Sequence, residues 1–537
     1  MPLFSFNRNS DGGLIGERYF GEMPTGKALS DAPIPTIIQQ DEGQTSSLAA
    51  AKSIYENLPH HLKSCFDYIY ILSHHFGLEK GGVVRLLLAQ GLIPEKPGEI
   101  MEDTAANIIQ ELIGLGILQE EYCSYSRIIV SISEFHKKSC LIEVEEHDFV
   151  AKIANLPIHA SIGNDGKDLP PNFNALPIRS LFARALTSAS WPLYEFIDFS
   201  QVYLQIVCAL QFMLVLDLWG DIDYLPDEVG DLVHLTYLGL RSTHIKKLPH
   251  TIGNLQKLQT LEVELTNLHQ LPIEILNITQ LRHLLLNNYP SYAGTRVPRG
   301  IGTLVNLHTC AGVHVDAGFA SELSTLTHLR NLDVRNACED HASELFAAIF
   351  KLEKLVSLSL SSENPYLGTP LPELESFSPP PHLQELSLCG GLFEIPNWLA
   401  SIENLTSLEL SNSNLLENPS SILQFLPKLK RLVLYEAYKA KIIGKEFCEA
   451  GGYPELETLS ITSRDLVEWT EIVNGAFQSL RRLKFEFCRN LRFLPEGLQH
   501  ISTIQELCLW QSHGDLIRRL RGEENYKIKH ISKLDIT

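Results

Sequence analysis

Three groups of residues have types and spacing that could do chemistry. Gly21-Glu-Met-Pro-Thr-Gly26-Lys27-Ala28 fits G-x-x-x-x-G-K, the start of a phosphate-cradling loop. Such a loop needs a Ser or Thr hydroxyl for magnesium, a strand before it and a helix after it. Ala28 removes the hydroxyl, no apolar run leads in, and Asp31, Pro33 and Pro35 follow, so the stretch reads as a Gly/Pro-rich tail. His60-His61 and His74-His75 are the second group. Neither pair has the i, i+4 spacing or the Cys partners of a metal site, and both read as solvated helix-end histidines. The third group is a series of exposed positions inside a recurring apolar kernel, which suits binding rather than bond making. G-x-S-x-G, H-E-x-x-H and a Cys–His nucleophile signature are all absent from the sequence, so it offers no catalytic or metal site and no ground for an enzyme.

The kernel sets the architecture. Residues 225–263 contain two copies of one unit, 23 residues apart. Each opens with Leu-Pro (Leu225-Pro226, Leu248-Pro249) and continues through Val229-Gly230 or Ile252-Gly253. Each ends in L-x-x-L-x-[LV], at Leu235, Leu238, Leu240 and at Leu258, Leu261, Val263. The first kernel position recurs at Met213, Leu235, Leu258, Leu281, Leu307, Leu329, Leu355, Leu383, Leu405, Leu429, Leu456, Leu480 and Ile504, with steps of 22 to 28 residues. This is the period of a leucine-rich repeat. L-x-L is a short strand with one buried face, Pro and Gly turn the chain back, and stacked copies bury the apolar face together. The predicted fold class is α/β: a small, mostly helical domain, then a horseshoe solenoid with a parallel sheet on its concave face. The kernel's x positions should line that face as the ligand-binding surface: Tyr237, Arg241, Glu262, Glu264, Asp333, Arg335, Glu409, Tyr435, Lys484, Glu486 and Trp510. Aromatic and Arg side chains there are candidate hot spots. The copy at Leu307 is irregular, with Cys310 and Val313 in leucine slots.

Composition narrows the partners. The 537 residues carry a formal net charge of -20, which repels nucleic acid and anionic membranes. The ten cysteines have no C-x-x-C pair and read as reduced, cytosolic thiols. The most apolar run, Tyr203 to Trp219, contains Gln205, Gln211 and Asp217 and is too short and polar to span a bilayer.

Along the chain, residues 1–50 lack a period and read as a disordered tail. Residues 51–155 read as a winged-helix domain. Its helices are predicted to open at Leu58-Pro59, to span Gly82–Gly91, and to span about Met101–Leu118. Its wing is predicted from Arg127–Ile132 and Cys140–Val144. Four basic residues face nine acidic ones across 58–121, the wrong sign for DNA. Asp148 should cap a further helix, Phe149–Ala154. Residues 156–177 read as a linker and 178–537 as the repeats, capped by Trp510 and a last apolar strand within Ile528–Ile536.

The wording of these segments resembles plant NLR (nucleotide-binding leucine-rich repeat) disease-resistance proteins of the coiled-coil type. LPHHLKSCFDYI, VVRLLLAQGLI, EDTAANIIQELIGLGILQ and EEHDF carry the likeness in the winged helix, and LPDEVGDLVHLTYLGLRSTHIKKLPHTIGNLQKLQTLEV carries it in the repeats. The likeness covers about residues 53–537. Departures are Leu87 for a usual Trp, Leu72-Ser-His-His75 for Phe-Pro-Glu-Asp, and Glu146 for the Met of Met-His-Asp. The family's coiled coil and nucleotide-binding core have no counterpart in this sequence. The resemblance implies that His147, with Asp148 beside it, senses an ADP phosphate. Read from the residues alone, Asp148 caps a helix and His147 packs in the hairpin.

What the resemblance implies for function is a cytoplasmic plant immune receptor, or receptor fragment. Its solenoid would recognise pathogen effectors, guarded host proteins or partner domains of the same family, and defence through the hypersensitive response would be switched in the family by ADP/ATP exchange. The alternative is a non-signalling leucine-rich-repeat module, a decoy, adaptor or truncated product that binds no nucleotide. Under either reading the partners are proteins and not nucleic acid. No cofactor is expected for this chain, and ADP or ATP is expected for the full-length family.

Overall fold

The structure is a computed structural model that describes residues 3–8, 14–19, 53–73, 78–122, 128–133, 149–152, 158–162, 173–184, 201–220, 222–287 and 293–536. The Gly21–Ala28 motif, His74-His75, the Cys140–Val144 run and His147-Asp148 lie outside these residues.

Among the described residues sixteen parallel strands form one ladder, from Ile158–Ile162 to Lys533–Ile536. Its register follows the kernel. Leu238 stands beside Leu261, then Leu284, Cys310, Leu332, Leu358, Leu386, Leu408, Leu432, Leu459, Leu483 and Leu507. All of them are buried. Each such leucine contributes about 1.5–3 kcal/mol through burial. The end strands Phe149–Lys152 and Lys533–Ile536 are not paired with each other among the described residues, so the horseshoe is open.

The Leu-Pro openings explain the turns. Pro226, Pro249 and Pro272 are extended, with φ near -70°, and each leads into a 3-10 turn: Asp227–Asp231, His250–Asn254 and Ile273–Asn277. The glycine in each opening is a packing requirement. A Cβ at Gly230 would come within 2.6 Å of Thr251, and one at Gly253 within 2.8 Å of the Glu274 carbonyl oxygen. Adjacent turns stack too closely for a side chain there.

The irregular copy at Leu307 has a cause. The strand Thr309–His314 shifts register between Ala311 and Val313, and Gly312 sits at φ 76°. One extra residue is absorbed as a bulge, so the third leucine slot moves from position 312 to Val313.

Ahead of the solenoid the described residues include three long helices: α1 (His60–Ser73), α2 (Lys80–Ala89) and α3 (Met101–Gly114). Helix α3 stops four residues before the predicted Leu118. Gly116 is left-handed (φ 71°), its N–H donates to Ile113 O, and Ile117 N–H donates to Leu112 O. These two bonds close the last turn in the Schellman pattern. Residues freed by that stop form the strand Leu118–Tyr122, which pairs antiparallel with Ile128–Ile132. Ile128–Ile132 also pairs with Leu78–Glu79. The described partners of that central strand therefore differ from the expected Cys140–Val144.

Three further stretches differ from expectation. Phe149–Lys152 is a strand, paired antiparallel with Ile158–Ile162, rather than a helix. So short a helix is marginal alone, and ladder hydrogen bonds favour the extended form. Ile158–Ile162 already belongs to the parallel sheet and pairs with Ile178–Arg184, so the ladder enters the stretch assigned to a linker. Within residues 1–50, Leu3–Arg8 and Leu14–Tyr19 pair antiparallel. They flank Asn9-Ser-Asp-Gly-Gly13, a turn composition that the reading as a disordered tail passed over.

Candidate functional site

The three helices do not hang free of the solenoid. Their apolar cluster (Leu62, Phe66, Ile69, Leu72, Leu86, Leu87, Leu112) is continuous with Phe182, Val215 and Tyr237 on the first strands of the ladder. This packing covers the beginning of the concave face.

Polar contacts fix the register at three places. On α1 and α2, Tyr68 Oη and Gln90 Nε2 meet the hydroxyl of Ser180 at 3.2 and 2.5 Å, and His159 Nδ1 lies 3.0 Å from the same oxygen. Burial, with a smaller push from Arg179, lowers the His159 pKa to about 4.

Glu262 forms the second place and is fully buried. Tyr237 Oη donates to its Oε2 at 2.6 Å, Arg241 Nε lies 2.9 Å from Oε1, and Arg85 Nη2 of α2 approaches the same oxygen at 3.5 Å. Burial pulls both guanidinium pKa values down, but the Glu262 charge outweighs it, so both end above the ordinary value.

Glu102, in the first turn of α3, makes the third. Its carboxylate accepts from Arg282 Nε at 2.8 Å and from Nη2 at 2.7 Å. His283 Nε2 lies 3.2 Å away and His308 Nδ1 3.1 Å. Next to it, Asp103 accepts from Arg330 Nη1 at 2.7 Å. Burial alone would raise the Glu102 carboxyl, but hydrogen bonds from His283, His308 and Arg282 hold it far below the carboxylate range. His283 is pushed down to about 4, by burial first and only partly opposed by Glu102. Its Nδ1 lies 3.1 Å from the Thr309 hydroxyl. The arrangement fits a neutral ring.

Four of the repeat residues that meet the helical unit share one slot. Thr236, Arg282, His308 and Arg330 each follow the first kernel leucine (Leu235, Leu281, Leu307, Leu329). Thr236 Oγ1 donates to Ala89 O at the end of α2, at 2.8 Å. The x positions expected to bind lie farther along the strand and do not include this row. A signal was present: Arg, His and Arg in one slot of three consecutive repeats, with Glu102-Asp103 opening a helix elsewhere. An acidic first turn also suits the positive end of the α3 dipole.

The predicted concave residues fall into two sets. Tyr237, Arg241 and Glu262 are engaged with α2. Glu264 is also buried, and it accepts from Asn287 Nδ2 at 3.2 Å. The others lie farther along. Asp333 pairs with Arg335 at 2.8 Å, Glu409 accepts from the Ser411 hydroxyl at 3.1 Å, and Trp510 packs edge-on to Phe487 at 4.4 Å. Tyr435, Lys484 and Glu486 are half-buried on the later strands. Ile128, at the start of the central strand of the small sheet, borders a cleft of about 290 Å³ with Ser359, Glu409 and Arg431. Among the described residues no group of three or more His, Cys, Asp or Glu could hold a metal ion, and no helix is long and apolar enough to cross a membrane. The described cysteines are free, and burial pushes thiols such as Cys310 and Cys488 up to about 12.

A stacked parallel ladder with a helical unit docked in its concavity defines a leucine-rich-repeat solenoid protein. The chain belongs to the leucine-rich repeat family, whose "Leucine-rich repeat region" model matches residues 198–525. Among plant disease resistance proteins of Arabidopsis thaliana, it is 27% identical to "Disease resistance protein RPP8" over 97% of this chain and 58% of that protein. It is 29% identical to "Disease resistance protein RPM1" over 89% of this chain and 52% of that protein. The chain thus spans about half the length of the curated relatives it matches. Similar solved structures include a Leptospira interrogans LRR protein, at 22% identity and a TM-score of 0.43 over 68% of this chain and 92% of that one. Another is the LRR ectodomain of the Arabidopsis receptor kinase GASSHO1/SCHENGEN3, at 18% identity and 0.41 over 67% and 41%.

Proposed function

We propose that the chain is the recognition part of a cytoplasmic plant disease resistance receptor. Its solenoid binds a pathogen effector or a guarded host protein, and the helical unit on the concave face registers that event. The observation that carries this reading is the Glu102 contact. Arg282, His308 and Arg330 are spent on Glu102 and Asp103. A ligand that reached these repeats would compete with α3 for the same side chains. The kinship with disease resistance proteins supports the reading.

Two of the N-terminal helices, α2 and α3, suit a phosphate poorly at their N-termini. A phosphate seeks a helix N-terminus free of negative charge. Here Glu79 precedes α2, and Glu102 and Asp103 open α3. No step of the proposal therefore runs through ADP or ATP, and the reading is of a binding protein rather than an enzyme.

The test is made in plants that carry the gene. Disrupting it should remove resistance, with its local cell death, to at least one pathogen isolate, and re-expression should restore both. Unchanged pathogen growth and cell death across the isolates would sink the proposal. Re-expression of Glu102→Arg should give cell death without infection, which separates a signalling receptor from a passive module.

A further inference from the structure

The longest step between kernels runs from Leu355 to Leu383, 28 residues. After the strand Ser357–Ser361 the surplus chain forms a single turn, Pro365–Leu367, and Gly368 at φ 77° reverses it. The chain then bridges to the next repeat. Gly391 N–H donates to Thr369 O at 3.0 Å, and Leu371 N–H donates to Gly391 O at 2.9 Å. Between this loop and the next lies a groove of about 650 Å³.

The groove has an apolar floor and an acidic rim. Leu371 and Leu374 are buried beneath it, and Phe393 stands at its side, 91% exposed. Glu339, Glu373, Glu375 and Glu394 line the edge. Two of these carboxylates are used internally: Glu339 accepts the Glu373 backbone N–H at 3.0 Å, and Glu375 accepts that of Asn397 at 3.4 Å. Glu373 and Glu394 are exposed and have no cationic partner among the described residues. Leu367 and Leu416, each 84% exposed, follow the strands of the same and a later repeat. Pro365, Pro370 and Pro372 fix the backbone, so little order would be lost on binding. The loops follow the strands, whereas the row that holds the helical unit precedes them, so that unit leaves the groove open.

We propose that this groove is a docking site for a basic, apolar segment of a partner protein. A large aliphatic or aromatic side chain of that segment seats against Leu371 and Phe393, and flanking Lys or Arg residues meet Glu373 and Glu394. An exposed apolar patch rimmed by polar residues marks an interaction surface, and rim charges of one sign select a partner of the other. The inference does not depend on a role in disease resistance.

The test uses the full chain and short fluorescein-labelled peptides in which Leu or Phe alternates with Arg, compared with peptides carrying Glu in place of Arg, at physiological salt. Fluorescence anisotropy should show binding of the basic peptides alone. Glu373→Lys with Glu394→Lys should weaken it by about tenfold or more, and so should Phe393→Ser. Glu403→Lys, an exposed charge reversal away from the groove, should leave it unchanged, which separates the groove from the chain's general negative charge. Equal weakening by Glu403→Lys, or no effect of Phe393→Ser, would overturn the proposal. So would self-association of the chain abolished by the Glu373/Glu394 reversal, because it would assign the groove to a second copy.

Discussion

Glu102 and Arg282 are 180 residues apart in the chain and meet through two parallel hydrogen bonds of 2.8 and 2.7 Å. Planar, two-point pairing of this kind fixes orientation as well as distance. It sets α3 against the repeats at one angle. Replacing Glu102 by Ala strands Arg282 and should cost about 2–5 kcal/mol of docking. Hydrogen exchange should then rise in α3 and in the strand His283–Leu285, with no change in the last repeats. Arg282→Ala should give much of the same loss, and the double variant should cost less than the sum. Strict additivity would show that the pair is not coupled.

Glu262 is fully buried among its three partners. Glu262→Ala leaves Arg85 and Arg241 facing each other and should destabilise the fold by about 3–5 kcal/mol. Tyr237→Phe removes only the 2.6 Å hydrogen bond, and its cost should be about 1.5–3 kcal/mol. Urea denaturation of the two variants would check the order. A larger loss from Tyr237→Phe would contradict this account.

Acid should loosen the docked unit. The His283 pKa in the folded state is about 4, below its ordinary 6.5. The unfolded chain therefore binds the proton first as pH falls, and stability drops between about pH 6.5 and 4. The depressed Glu102 carboxyl acts in the same direction, its contribution being lost below about pH 4.5. The His283 share is at most about 3 kcal/mol. His159 adds a similar slope. Urea midpoints at pH 7 and pH 5 would measure it, and His283→Asn should flatten the dependence. A midpoint that rises on acidification would refute the assignment.

Gly312 is held by conformation and by space. At φ 76°, a Cβ there would lie 2.6 Å from the Leu286 carbonyl carbon. Gly312→Ala should cost about 1–3 kcal/mol from backbone strain, with the clash adding to it. Thermal unfolding would show the loss, and Gly114→Ala, an open helical position, should be neutral or slightly stabilising by comparison. Equal effects of the two would argue against the bulge.

The kernel was legible because burial in a solenoid is local. A strand in this ladder meets the equivalent residues of its two neighbours, so the L-x-L pattern of one repeat is enough to place it. The irregular copy at Leu307 was legible as irregular, but its bulge was not. A one-residue surplus leaves no mark on composition beyond a glycine. Helix α3 shows the same limit, since its apolar period runs past Gly116 and only the Schellman bonds show where it stops.

The sequence by itself determined the repeat period, the parallel ladder and the burial of its leucine column, and it separated a helical unit from the repeats. It did so because these features depend on neighbours at a fixed spacing. Only the tertiary structure decided that the helical unit lies in the concavity, that Tyr237, Arg241 and Glu262 face α2, and that Arg282, His308 and Arg330 share one slot against α3. Those contacts join residues about 150 to 230 positions apart. They arise from the curvature of the whole ladder and the shape of the helical unit, neither of which is written in any single repeat.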